Sequence, residues 1–144
     1  MPPSMDELSK LGECLSDRIG IRILALLREG ELCVCEIKAA LEEDRSKVDL
    51  RLRRLMQSGV VRSRIRGRWT AFRIQTKFTD LIETLFEAFE DETEWDPDLQ
   101  QDRRRLKAAL SKRVNGWCAN PRSRAGNRTD GELGSPEGED VIDA

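Results

Sequence analysis

A mainly α fold with one β-hairpin, laid out as a winged helix-turn-helix and dimeric through its terminal helices, is the class this sequence predicts. Three observations predict it. Four segments with helical apolar spacing come first, then a switch to period two on either side of Gly67, then a fifth helical segment. Residues 44–73, the fourth helix and the hairpin, carry ten basic and two acidic side chains inside a chain of net charge −2. The fifth helical segment has an apolar face too broad for a small domain to hide alone.

The elements follow in order. Leu8, Leu11 and Leu15 space a first helix from about Met5 to Leu15. Ser16 or Asp17 is placed to cap a second, carried by Ile19, Ile23, Leu26 and Leu27 and stopped at Gly30. A third short helix is expected from about Cys33 to Leu41. Asp44 is placed to cap a fourth, with Val48, Leu52 and Leu55 as its apolar stripe and Gly59 as its end. Residues 60–65 and 69–74 read as strands joined through Arg66-Gly67-Arg68. A fifth helix is expected from about Lys77 to Asp91. Asp96-Pro97 breaks the chain, and Leu99, Leu106, Leu110 and Val114 thinly space a basic sixth helix. The organisation expected is residues 1–95 as the DNA-binding and dimerisation domain, 96–118 as an additional basic helix, and 119–144 as a disordered tail.

Composition removes whole classes of function. The 144 residues contain no histidine, which excludes His-based zinc sites, His general bases and Ser-His or Cys-His nucleophiles together. No phosphate loop or Cys-x-x-Cys pair is present, so no enzyme is expected, and no organic cofactor. No apolar run approaches a membrane span, and the N-terminus lacks a basic region followed by an apolar stretch. A cytoplasmic address without a membrane partner is the expectation. In a reducing compartment Cys14, Cys33, Cys35 and Cys118 are then free thiols or metal ligands.

The basic segment points to a polyanion, and nucleic acid is the commonest one. On the fourth helix Lys47, Asp49, Leu50 and Arg51 are candidates to point at the bases, with Arg45 and Ser46 as further DNA-binding candidates. Arg53, with Arg64, Arg66 and Arg68 of the hairpin, is a candidate to position the backbone. Arg54 is a further candidate for DNA contact, with an intramolecular ion pair as its alternative. The solvated charged face that any such helix presents is the plain alternative. The faces of Leu8 and Leu11, and of Leu81, Ile82, Leu85, Phe86 and Phe89, are expected to pair with a second copy. A twofold dimer calls for double-stranded DNA with an inverted repeat, its half-sites one or two helical turns apart. The acidic stretch 80–102 is expected to lie away from DNA, available to the basic helix at 103–113.

Cys33 and Cys35 are the chemically distinctive pair. Thiolates are soft ligands and select soft ions. Two helical residues two positions apart lie about 200° apart around the axis, so one ion could engage both only if the first turn bends. A helix N-terminus is expected to lower both thiol pKa values. The plain alternative is two small buried apolar residues. Cys118, Cys14 or a solvent oxygen are the candidates for a third contact.

Glu31-Leu32-Cys33-Val34-Cys35-Glu36-Ile37 resembles the metal-binding box of the ArsR/SmtB family of repressors. Leu15-Ser16-Asp17 with Ile21-Arg22-Ile23-Leu24 looks like that family's second-helix entry, and Arg66-Gly67-Arg68-Trp69 resembles its wing tip. The resemblance covers roughly residues 8–90. It implies a repressor of an arsenic resistance operon that leaves its operator on binding As(III) or Sb(III) through Cys33, Cys35 and a third ligand; Cys118 is the candidate for that place, an incidental exposed thiol being its plain alternative. It also implies a mechanism in which binding strains the helix supporting the recognition helix. Two departures stand out: Lys38 occupies the place of a frequent third cysteine, and Asp49 and Leu50 stand where small polar and basic residues are common. A thiol redox-responsive, or Hg/Cd-responsive, repressor on the same scaffold is the alternative.

Overall fold

Caps set several of the helix starts in the computed structural model, which describes residues 2–89 and 96–114. Ser4 and Glu7 form a reciprocal capping box at the start of α1 (Met5–Leu15). Asp17, not Ser16, caps α2 (Arg18–Leu27) by accepting from the Gly20 N–H at 2.9 Å. Gly20 faces the end of α1 so closely that an added Cβ would lie 2.5 Å from the Cys14 carbonyl oxygen. Asp96 accepts from the Asp98 and Leu99 N–H groups and starts α6 (Pro97–Leu110), where Pro97 loses no needed donor.

One element escaped the sequence reading. Leu32–Cys33 form a short strand, β1, ahead of α3 (Val34–Leu41). After α4 (Arg45–Ser58) come β2 (Val61–Arg66) and β3 (Trp69–Ile74), and the antiparallel sheet runs in the order β1-β3-β2. The wing is thus a three-stranded sheet, and β1 was missed because two residues carry no readable period. Gly59 ends α4 at φ 85° and Gly67 turns the hairpin at φ 62°, both in the left-handed region that favours glycine. The fifth helix, α5 (Thr76–Ala88), starts one residue before the predicted bound; its expected last residues, 90 and 91, lie outside the described residues, as does the tail.

The core lies where α2, α3, α4, β3 and α5 meet. Ile23, Leu24, Ile37, Leu52, Phe72 and Phe78 are fully buried there. The sixth helix belongs to the same core. Leu106 is buried, and Asp102, wholly enclosed, accepts two hydrogen bonds of 2.8 Å from Arg22 on α2. Arg22 also donates to Glu43 and to the Leu41 carbonyl. Val114, expected on the apolar side of this helix, is 58% exposed.

Two expectations change. Among the described residues the acidic stretch turns mainly to α2 rather than to the basic helix. Asp98 pairs with Arg18, Glu83 with Arg28 and Asp102 with Arg22, all on α2 or its end, and Arg105 of α6 also meets Asp102. The basic residues of α6 and the segment after it turn to α3 instead: Arg105 to the Ala40 carbonyl and Arg113 to Glu36. Of the residues assigned to dimerisation, Leu11, Ile82 and Phe86 are buried in the protomer's own core, Phe86 lining a pocket with Leu26 of α2 and Leu99 and Leu106 of α6. Leu8 and Phe89 are exposed, and Leu81 and Leu85 are half-buried, so these four remain on the outer face.

Candidate thiol site and nucleic-acid interface

Cys33 and Cys35 belong to different elements. Cys33 is extended (φ −85°, ψ 162°), closes β1 and stands as the N-cap of α3; Cys35 lies in the first helical turn. The 200° separation applies only when both residues are helical. With one residue extended, the two Sγ atoms converge to 2.9 Å with α3 intact. The expectation that the helix must bend to bring them together is therefore corrected.

The surroundings of Cys33 also differ from expectation. Burial pushes its thiol up to about 12, and the Glu36 carboxylate adds to the rise, while backbone N–H groups of Glu36 and Cys35 pull the other way. The helix terminus does not win because the sulfur is out of water and faces a fixed negative charge. Cys35 is half-buried and takes part in a disulfide, whereas Cys14 and Cys33 are free. Cys14 packs against the Ser58 hydroxyl at 3.7 Å, and burial raises its thiol as well. Among the described residues no three Cys, Asp or Glu side chains form a group able to hold a metal ion. The site is thus a sulfur pair that needs a further ligand. Cys118 lies outside the described residues.

Glu36 organises the rim of the pair. It is only 3% exposed, accepts the Cys33 N–H at 3.0 Å, and receives Arg113 through two bonds of 2.6 and 2.7 Å. Arg113 also donates to the Glu31 carbonyl. Glu36 is therefore committed to holding backbone and arginine in place. Cys33-x-x-Glu36 has the spacing of a capping box, but a cysteine at the cap position hid it from the sequence reading.

On α4 the apolar stripe of Val48, Leu52 and Leu55 is buried as predicted. Arg45, Ser46, Lys47, Leu50, Arg53 and Arg54 are exposed on its other sides. Asp49 and Arg51 are not free to read bases. Asp49 lies 2.8 Å from Lys38 of α3, an ion pair without directed hydrogen-bond geometry. Arg51 forms a bidentate pair with Asp17, at 2.6 and 3.0 Å, which depresses the Asp17 carboxyl. The intramolecular pair considered for Arg54 is made by Arg51, while Arg54 is exposed and acts on Asp17 only through its charge. On the wing Arg66 and Arg68 are exposed, while Arg64 is half-buried against Glu31. An Asp49→Asn substitution is accordingly expected to change affinity about equally for all duplexes in a set of single-base variants. A change confined to one base position would return Asp49 to the bases.

These features have counterparts. The sequence pattern of the family described as bacterial regulatory protein, arsR family, matches residues 19–63, from α2 into β2. The arsenic resistance transcriptional regulator ArsR1 of Pseudomonas putida is 34% identical over 85 residues, 58% of this chain and 66% of that protein. The arsenical resistance operon repressor of Escherichia coli is 36% identical over 66 residues, 45% of this chain and 56% of that protein. The chain thus spans under two thirds of each relative's length. A solved homodimeric winged helix-turn-helix DNA-binding domain from Mycobacterium bovis superposes with a TM-score of 0.56 at 23% identity, covering 65% of this chain and 87% of that one. No helix among the described residues is long and apolar enough to cross a membrane. With the box at residues 31–37 inside it, the segment 19–63 carries the helix-turn-helix pattern of the arsR family of bacterial regulatory proteins, and the chain resembles that family's arsenic resistance regulators.

Proposed function

We propose that this chain is a cytoplasmic, homodimeric transcriptional repressor that binds an inverted-repeat operator and leaves it when arsenite or antimonite engages its cysteines, so controlling an arsenic resistance operon. It works as a binding switch, without catalysis and without an organic cofactor. The observation that carries this reading is the 2.9 Å approach of the Cys33 and Cys35 sulfurs from two different elements. Once the disulfide at Cys35 is reduced, a soft ion that takes both sulfurs ties the wing sheet, through β1, to α3. Helix α3 in turn holds α4 through Lys38 and Asp49. Binding thus acts on both DNA-facing elements without unwinding a helix. Cys118 is the proposed third ligand. Arg113 is anchored at Glu31 and Glu36 beside the pair, and five residues of chain reach at most roughly 18 Å.

A second reading, a thiol redox switch, is favoured by the disulfide at Cys35. One assay separates the readings: binding to a duplex that the wild-type protein selects from a randomised pool, with arsenite, antimonite, mercury, cadmium or peroxide added. Arsenite is expected to weaken wild-type binding about 5–150-fold, the usual range of coupling between two sites. Cys33→Ser, Cys35→Ser and Cys118→Ser are expected to stay bound, and Cys14→Ser to respond normally. Release of the Cys33/Cys35 double variant by arsenite would sink the thiol reading. Release by peroxide alone would establish the redox switch in its place.

A further inference from the structure

Glu31 opens the cysteine box, and its carboxylate faces the wing. Its two oxygens accept from Arg64 at 2.6 and 2.7 Å, and Arg66 approaches one of them at 3.9 Å. A forked, two-bond arginine–carboxylate pair is the same geometry by which arginine grips a phosphate. Arg64 also shares a rung of the sheet with the sensor: Cys33 pairs with Ala71 on β3, and Ala71 pairs with Arg64 on β2. The carboxylate therefore holds a wing arginine two residues from Cys33, on the strand rung that Cys33 itself occupies.

We infer that Glu31 competes with DNA phosphate for Arg64, so that the first residue of the cysteine box is a positioning residue that governs the wing's grip on the backbone. This rests on the DNA-binding reading above. An arginine satisfied by a carboxylate neutralises no phosphate; once released, it adds one backbone contact that carries no base information. The site of thiol chemistry and the wing arginine then share a connection separate from the α3–α4 link at Lys38. Arg113 holds the backbone carbonyl of Glu31, so replacing the side chain leaves that anchor in place.

The test is the salt dependence of binding to the selected duplex by wild type, Glu31→Gln, Arg64→Gln and the double variant, each checked for an unchanged melting profile. Each phosphate neutralised contributes about 0.9 to the slope of log K against log salt. Glu31→Gln is expected to steepen the slope by about 0.9 and to tighten binding roughly tenfold at low salt. Adding Arg64→Gln is expected to erase both gains. Glu31→Asp, which keeps the charge at shorter reach, should fall between Glu31→Gln and wild type. An unchanged slope in Glu31→Gln, or a gain that survives loss of Arg64, overturns the inference while leaving the DNA-binding reading intact. A wild type that shows no salt-dependent binding overturns both.

Discussion

Asp102→Ala is expected to lower stability by about 3–5 kcal/mol, the cost of stripping one partner from a buried ion pair. Asp102 is wholly enclosed, and its two oxygens hold the Nε and Nη2 of Arg22, whose side chain is 9% exposed. Removing the carboxylate leaves a guanidinium that keeps only Glu43 and the Leu41 carbonyl. Urea unfolding gives the measurement, as a drop in the midpoint at constant slope. Glu43→Gln, which removes a partner 35% exposed, is expected to cost under about 1 kcal/mol. Arg22→Met with Asp102→Leu is expected to recover most of the loss, because a well-packed apolar pair avoids desolvating two charges. A cost below about 1 kcal/mol for Asp102→Ala would show that α6 is an appendage to the domain. The geometry places it inside the fold, with Leu106 in the core and Arg105 and Arg113 stitched to α3.

Phe72→Ala is expected to cost about 3–5 kcal/mol as well, through the lost contact and the cavity left behind. Phe72 is fully buried on the central strand, paired with Leu32 of β1 on one side and Ser63 of β2 on the other. Its loss loosens the strand bearing Cys33 and the wing together. Against a typical domain stability of about 5–15 kcal/mol the alanine variant is near the limit of folding. Phe72→Leu keeps most of the volume, and its stability is expected to fall by under about 2 kcal/mol. In that variant the arsenite response should weaken along with stability. Thermal melts and the binding assay, run on the same preparation, check this. A fully stable Phe72→Ala chain would contradict the burial of this side chain.

Much of this was legible in the chain itself. The α2, α4 and hairpin patterns are long enough to show their period, and Gly59 and Gly67 punctuate them where a left-handed residue is needed. The cysteine pair and the basic stretch were legible because they are unusual residues in unusual density. Three features were not. Strand β1 is two residues long and exists only because β3 offers it hydrogen bonds. The fates of Asp49, Arg51 and Arg64 depended on Lys38, Asp17 and Glu31, acids and bases 11 to 34 positions away that no periodicity connects. The burial of Asp102 required a partner 80 residues away.

The sequence by itself determined a winged helix-turn-helix with the arsR-family pattern over residues 19–63 and a cysteine pair ahead of a basic helix. Period, punctuation and residue chemistry are local quantities, and they suffice for that. Only the tertiary structure decided that Cys33 is extended and Cys35 helical, so that their sulfurs meet without distortion. It alone decided which charges are held inside the protein and which are left exposed. Pairing across elements depends on where the backbone places them, and that placement comes from the packing of the whole core around α2, α3, α4 and β3.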